Sequence, residues 1–280
     1  MQIPFAKQQH ALKKFSTFKP VNLKELIAQV RKKKSCLCVG LDSDAAKIPA
    51  GVGVVDFNVR IMEATAGYAV AYKLNTAFYE ARGAEGWRWM QQTVEQVPRG
   101  CLVIIDAKRG DIGNTAEQYA SAFYDVMRAD AVTVNPYMGW DSVQPFLRPQ
   151  KWAVVLALTS NAGAQDFQML RVGQKHLYEE VLQQVSARAG ADEVMFVAGA
   201  THVEMLKRVR EIVPEHFLLI PGVGAQGGNL NEVMRIACNN NVGVLINSSR
   251  QIIYASAGAD FAEAAGDEAK RLQKQMSDFI

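Results

Sequence analysis

Eight short apolar runs rich in β-formers alternate with stretches of helical periodicity, and nothing else in this 280-residue chain constrains its fold as strongly. The runs cover 36–41, 69–74, 102–105, 131–134, 152–158, 193–198, 217–220 and 242–246. Helical spacing fills 80–97, 115–127, 167–189, 203–213 and 230–237, and 258–279 reads as a last amphipathic helix. A helix must carry the chain back between consecutive strands, so the strands pair in parallel. Eight repeats without a break fit a closed (β/α)8 barrel, the TIM-barrel form of α/β architecture, better than an open sheet. No Pro- or Gly-rich linker divides the chain. We therefore expect a single barrel domain over residues 36–280, preceded by an N-terminal helical extension over residues 1–35.

Composition narrows the class. Apolar residues make up 49% and charged residues 21%, which excludes disordered, collagen-like and coiled-coil chains. A net charge of +3, with pI about 8.6, is too mild to argue for nucleic acid. Basic Arg31-Lys32-Lys33-Lys34 ends a stretch where apolar Val21, Leu23, Leu26, Ile27 and Val30 recur at helical spacing. That pattern reads as a solvated helix before the first strand rather than a nucleic-acid arm. The four cysteines are Cys36, Cys38, Cys101 and Cys238, too few for a disulfide scaffold. Cys36 and Cys38 lie two apart and should share one face of a strand; we read them as small buried hydrophobes, since no second Cys or His pair has zinc spacing. The uninterrupted apolar runs are far shorter than the ~20 residues a membrane helix needs. Residues 1–20 lack a signal-peptide core, so the expectation is a cytoplasmic protein without membrane attachment.

Polar residues and glycines collect just after the strands. Asp42 follows the first, Lys73 and Asn75 close the second, and Asp106, Lys108 and Asp111 follow the third. Thr159, Ser160 and Asn161 follow the fifth, Pro221 to Gly228 the seventh, and Asn247-Ser248-Ser249-Arg250 the eighth. The carboxyl ends of the strands are where barrels of this kind place their sites, which argues for an enzyme.

The densest cluster is Asp106-Ala107-Lys108-Arg109-Gly110-Asp111. With a strand period of two, Asp106 and Lys108 point to the same side, and Lys73 on the neighbouring strand shares their space. Unlike charges facing a barrel interior must pair, because an isolated buried charge is prohibitively costly. A purely structural salt-bridge network is the competing reading. It is disfavoured by the position of these groups at the catalytic rim.

The second cluster is the glycine-rich segment Pro221 to Gly228, which includes Gly222, Gly224 and Gln226 and precedes a helix. Glycines let backbone N–H groups converge on an anion at a helix N-terminus, and the Arg250 guanidinium adds donors suited to phosphate. Taken alone the glycines could be turn residues; Arg250 after strand eight favours a phosphate site. Gln226, Ser160 and Asp42 are each individually as compatible with a loop-stabilising role. Tyr137 and Trp140 either line the rim or simply pack, and packing is the favoured reading. The four histidines fall outside these motifs, and neither a His-carboxylate metal pattern nor a catalytic triad can be assembled.

These residues together resemble the orotidine 5′-phosphate decarboxylase family, in its longer bacterial type. The resemblance rests on Asp106-Ala-Lys108-Arg-Gly-Asp111-Ile-Gly-Asn-Thr115, with Lys73 upstream and Pro221-Gly-Val-Gly-Ala-Gln226 and Arg250 downstream. Asn75-Thr-Ala-Phe-Tyr-Glu80, Asn135-Pro-Tyr-Met-Gly139 and Thr159-Ser-Asn161 add to it, and it runs from about residue 36 to 255. Two positions depart: Ala162 and Leu74 stand where proline is usual.

The resemblance implies conversion of orotidine 5′-monophosphate to UMP and CO₂, the last step of de novo pyrimidine nucleotide synthesis, with neither cofactor nor metal. It implies Lys108 as proton donor to C6 of the pyrimidine and Asp106 against the departing carboxylate. Lys73 would link Asp42 and Asp106 and contact the ribose. Asp111 and Thr115 would reach into the partner's site of a homodimer with shared active sites. Ser160 and Gln226 would contact the pyrimidine, and Gln226 and Arg250 would close over the phosphate. Two other readings stand beside it: a metal-dependent sugar-phosphate decarboxylase or aldolase on the same barrel, and a non-catalytic nucleotide sensor that keeps the phosphate loop.

Overall fold

Eight parallel strands close on themselves: β1 (Leu37–Gly40), β2 (Ala69–Asn75), β3 (Leu102–Arg109), β4 (Ala131–Val134), β5 (Trp152–Leu158), β6 (Val194–Ala198), β7 (Leu218–Pro221) and β8 (Val244–Ser248). Around the barrel they run β1-β8-β7-β6-β5-β4-β3-β2, so β1 pairs with both β2 and β8. This computed structural model describes residues 20–199, 203–222 and 229–280. Each strand is buried on both faces, which explains the continuous Val/Ile/Leu runs.

Several strands extend past the apolar run that announced them. β3 continues from Ile105 to Arg109, β2 takes in Asn75, and β8 reaches Ser248. Lys73, Asp106, Lys108 and Asn247 therefore stand on strands, not on loops. A sheet position is held by ladder hydrogen bonds on both sides, so it fixes a side chain more firmly than a loop does.

Helices cover the outside. α1 (Leu23–Lys33) starts with a capping box, in which Asn22 Oδ1 accepts the Glu25 N–H at 3.0 Å and the Glu25 carboxylate accepts the Asn22 N–H at 3.1 Å. It buries Leu26 and Val30 and exposes its basic end. The Lys33 ammonium donates to the carbonyls of Ala66 and Ala69, tying this helix to the start of β2. A helix that the periodicity did not single out, α2 (Val54–Thr65), links β1 to β2 and packs on α3 (Gly83–Glu95). After β3 come α4 (Gly113–Ser121) and a π-helical turn, Ala122–Val126, so the helix expected over 115–127 is interrupted.

The helix expected over 167–189 is corrected further. A single helical turn, Ala164–Phe167, ends where it was to begin, and its first half is a two-stranded antiparallel ribbon pairing Arg171–Val172 with Lys175–His176. Only α5 (Leu177–Ser186) is helical, because Gly173 turns the chain at φ +61°, where glycine alone is unstrained. α6 (Val203–Ile212) and α7 (Leu230–Ala237) follow, and α8 (Phe261–Met276) returns to pack on α2, with Phe57 and Phe261 stacked at 4.8 Å.

Cys36 and Cys38 are both buried, as small hydrophobes would be. The Cys36 thiol meets Met234 and Met276 of the outer helices. Burial pushes the Cys38 thiol up to about 12. The register of β1 against β2 shifts between Leu37 and Cys38, with the extra residue, Val70, on β2.

Candidate active site

At the carboxyl end of the barrel lies a cavity of about 250 Å³. One wall carries Lys73, Asp106, Lys108 and Thr133, and apolar Leu156, Val197, Leu219 and Pro221 face it. Thr159, Ser160, Asn161 and Asn247 complete the lining. Charged groups opposite an apolar surface interact more strongly than they would in water, since little solvent is left to screen them.

The charges alternate along one line. Lys73 Nζ lies 3.5 Å from Asp42 Oδ1 and 3.0 Å from Asp106 Oδ2, and Asp106 Oδ1 lies 2.6 Å from Lys108 Nζ. Lys73 is 4% exposed. Burial alone would depress its amine, but Asp42 and Asp106 outweigh that and hold it above the ordinary lysine range. Burial likewise works to raise the Asp106 carboxyl, and the two lysines overcome it, keeping the group well below the usual carboxylate range. Both stay charged. The Lys108 side chain is 49% exposed, so its ammonium faces both the cavity and solvent.

The route by which Lys108 reaches Asp106 differs from the expected alternation. Lys108 sits at φ +48°, in the left-handed region, and the register of β3 against β4 shifts between Ile105 and Arg109. A bulge, not regular pleating, turns its side chain back onto Asp106. Arg109 next to it pairs with Glu80 and lies over the rings of Tyr119 and Phe123, anchoring the end of the strand.

Asp42 is held from behind. Tyr79 Oη donates to the Leu41 carbonyl at 2.9 Å, Asn58 Nδ2 donates to Tyr79 Oη at 3.1 Å, and Ser43 Oγ donates to Asn58 Oδ1 at 2.5 Å. Tyr79, Asn58 and Ser43 are all buried, so the turn carrying Asp42 is pinned by a closed polar network.

The other expected residues are placed less centrally. Asn75 ends β2 at the rim, but its Oδ1 accepts the Ala77 N–H and it does not line the cavity. Asp111 Oδ1 accepts the Ile112 N–H at 2.8 Å, and Thr115 is exposed on α4; neither faces Lys73 or Lys108 across the cavity. Gly222 follows β7 at φ +84°, a conformation that favours glycine, and Arg250 is exposed at the start of a short helix after β8. Gly224 and Gln226 lie outside the described residues. Trp140 packs against the core as expected, whereas Tyr137 is 79% exposed, which corrects its reading as a packing residue.

One functional candidate, Thr133, escaped the sequence reading, and a second, Asn247, was placed on the rim without a role. Thr133 stands between Asp106 and the Lys108 backbone, and its one signal was being the sole polar residue of apolar β4. Asn247, 8% exposed, has a buried carboxamide oxygen without a hydrogen-bond partner. Its signal was its place as the first polar residue after the eighth apolar run. Gly40 permits the close approach of this region to β1, since a Cβ there would meet Ser249 Cβ at 2.6 Å and Asn247 Oδ1 at 3.3 Å. Among the described residues, no three His, Cys, Asp or Glu side chains cluster to hold a metal ion.

Fold and site together define a TIM-barrel enzyme whose chemistry rests on fixed side-chain charges at the carboxyl ends of the strands. The sequence profile of the orotidine 5′-phosphate decarboxylase/HUMPS family matches residues 35–265. An orotidine 5′-phosphate decarboxylase of Christiangramia forsetii is 50% identical over 262 residues, covering 90% of this chain and 96% of that one. The solved OMP decarboxylase of Leishmania donovani superposes with a TM-score of 0.78 at 38% identity, covering 91% of this chain and 99% of that one. UMP synthase of the same organism gives a TM-score of 0.81 at 41% identity, over 91% of this chain and 57% of the longer one. The chain belongs to the orotidine 5′-phosphate decarboxylase/HUMPS family.

Proposed function

We propose that the Asp42–Lys73–Asp106–Lys108 line decarboxylates orotidine 5′-monophosphate to UMP and CO₂, making the protein a carboxy-lyase of pyrimidine nucleotide synthesis. The observation that carries this is the salt-bridged Lys108 ammonium at the cavity, 2.6 Å from Asp106, with Lys73 locked on the other side of the same carboxylate. The bond from C6 to the carboxylate breaks, CO₂ leaves, and the electron pair remains on C6. Lys108 then gives that carbon a proton and regains one from solvent, to which its side chain is half open. An ammonium fixed beside the carbon stabilises the developing charge without reorganising. Barriers of such slow reactions fall by up to ~23 kcal/mol, more than one charge supplies, so contacts remote from the reacting bond must contribute.

In this reading Asp106 faces the departing carboxylate, Asp42 and Lys73 hold the ribose, and Ser160 contacts the pyrimidine. Gly222, Gly224, Gln226 and Arg250 serve the phosphate. Asn247, which lines the cavity, contacts the nucleotide. Asn75 supports the β2 rim. Asp111 and Thr115, outside the cavity of their own chain, act in the partner's site of a homodimer. Exposed Ile112, Tyr137, Met138 and Phe167 near this rim supply apolar surface for that contact. No helix among the described residues is long and apolar enough to cross a membrane, and all four cysteines are unpaired, which supports a reducing cytoplasm.

The test is the loss of orotate absorbance when purified protein meets orotidine 5′-monophosphate with chelator present. Turnover is expected. Binding of UMP without turnover would favour a sensor, and activity abolished by chelator would favour the metal-dependent reading.

A further inference from the structure

Thr133 occupies an unusual place for a residue of β4. The strand reads Ala-Val-Thr-Val and is buried throughout, with Thr133 itself 1% exposed. A buried hydroxyl needs a reason, and here both of its capacities are used. Thr133 Oγ donates to Asp106 Oδ1 at 2.9 Å and accepts the Lys108 backbone N–H at 2.9 Å.

Those partners are the two ends of one unit. Asp106 Oδ1 is also the oxygen that receives the Lys108 ammonium at 2.6 Å. The carboxylate therefore presents one oxygen to Lys108 and Thr133 and the other, Oδ2, to Lys73. At Lys108 the regular register between β3 and β4 is broken, and its amide turns to the Thr133 hydroxyl instead of a strand carbonyl. Lys108 is also in the left-handed region, which a residue with a Cβ keeps only when its surroundings enforce it.

We propose that Thr133 is a positioning residue that clamps the backbone of Lys108 and the carboxylate of Asp106 with one hydroxyl, and so sets where the proton-donating ammonium stands. The inference rests on the reading of Lys108 as proton donor. With the ammonium displaced, the protein would still bind substrate through the ribose and phosphate contacts but would donate the proton poorly.

The experiment compares Thr133→Val, which keeps the shape and removes the hydroxyl, with Thr133→Ser, which keeps the hydroxyl. Thr133→Val is expected to lower kcat by about 10- to 100-fold with KM for orotidine 5′-monophosphate nearly unchanged, as for misplacement of a reacting group by a fraction of an ångström. Thr133→Ser should recover most of the loss. Equal kcat in Thr133→Val and the unaltered protein overturns the proposal, as does equal loss in both variants. If Thr133→Val does not accumulate folded, Thr133→Ala takes its place. Amide exchange of the unaltered protein is an independent arm. The Lys108 N–H is expected to be protected although its side chain is half exposed, and a freely exchanging amide overturns the clamp. Lys108→Ala separates the two levels: if it keeps full activity, the proton-donor reading fails, whatever Thr133 does.

Discussion

Lys108 and Asp106 are two residues apart on one strand and meet at 2.6 Å with Lys108 in a left-handed backbone at φ +48°. In that region a side chain with a Cβ costs roughly 1–2 kcal/mol. The strain sits where the chemistry is placed, and it is a stability cost that a glycine would remove.

Lys108→Gly should accordingly be more stable than Lys108→Ala by about 1 kcal/mol, or about 2 to 4 °C in Tm for a chain of this size. Both variants lose the ion pair, so the comparison isolates the backbone. Both should also lose turnover while retaining the fold. Identical melting temperatures would show that the left-handed residue is unstrained.

Asn247 presents the reverse case, a polar group that the folded chain leaves unsatisfied. An orphaned buried acceptor costs about 1–3 kcal/mol. Asn247→Leu is therefore expected to hold or raise Tm while raising KM for the nucleotide. A lowered Tm with unchanged KM would assign Asn247 to the scaffold instead of the substrate.

Shared sites predict complementation. Asp111→Ala and Lys108→Ala proteins, each inactive alone, should regain activity when mixed and allowed to exchange subunits, because a mixed dimer can hold one intact site. Proven exchange with no recovery would confine each active site to one chain.

Asp130 contributes to the pH dependence of stability at the opposite end of the barrel. It is 1% exposed and accepts the N–H groups of Val21 and Val103 at 3.3 and 2.9 Å, with Lys151 at 4.0 Å. Burial raises its carboxyl to about 7, against an unfolded value near ~4. Between those values the folded chain binds more protons than the unfolded one, so this group makes stability rise as pH falls from about 7 toward ~4. Asp106 acts with the opposite sign: its depressed carboxyl stabilises above the unfolded value and loses that contribution as pH falls below ~4. Thermal melts from pH 5 to 8 should show the rise toward acid, and Asp130→Asn should flatten it. An unchanged slope in that variant would locate the titration elsewhere.

Much of this was legible without coordinates. The apolar runs carried the eightfold alternation because a strand buried on both faces must be continuously apolar. Asp106, Lys108 and Lys73 were legible as a charged cluster because unlike charges at the end of buried strands have to pair. Local pattern also announced α7 and the Gly222 turn, since periodicity and positive φ are properties of neighbouring residues. It misplaced the helix over 167–189, where one glycine turn outweighed helical spacing.

Tertiary structure decided the rest. Thr133 lies 25 residues beyond Lys108 and joins it only through the pairing of β3 with β4. The bulge that turns Lys108 inward, the network behind Asp42 and the orphaned oxygen of Asn247 all depend on which strands the closed barrel sets side by side. A sequence states which groups must find partners; hydrogen-bond partners remote in the chain are assigned only when barrel closure fixes the register between strands.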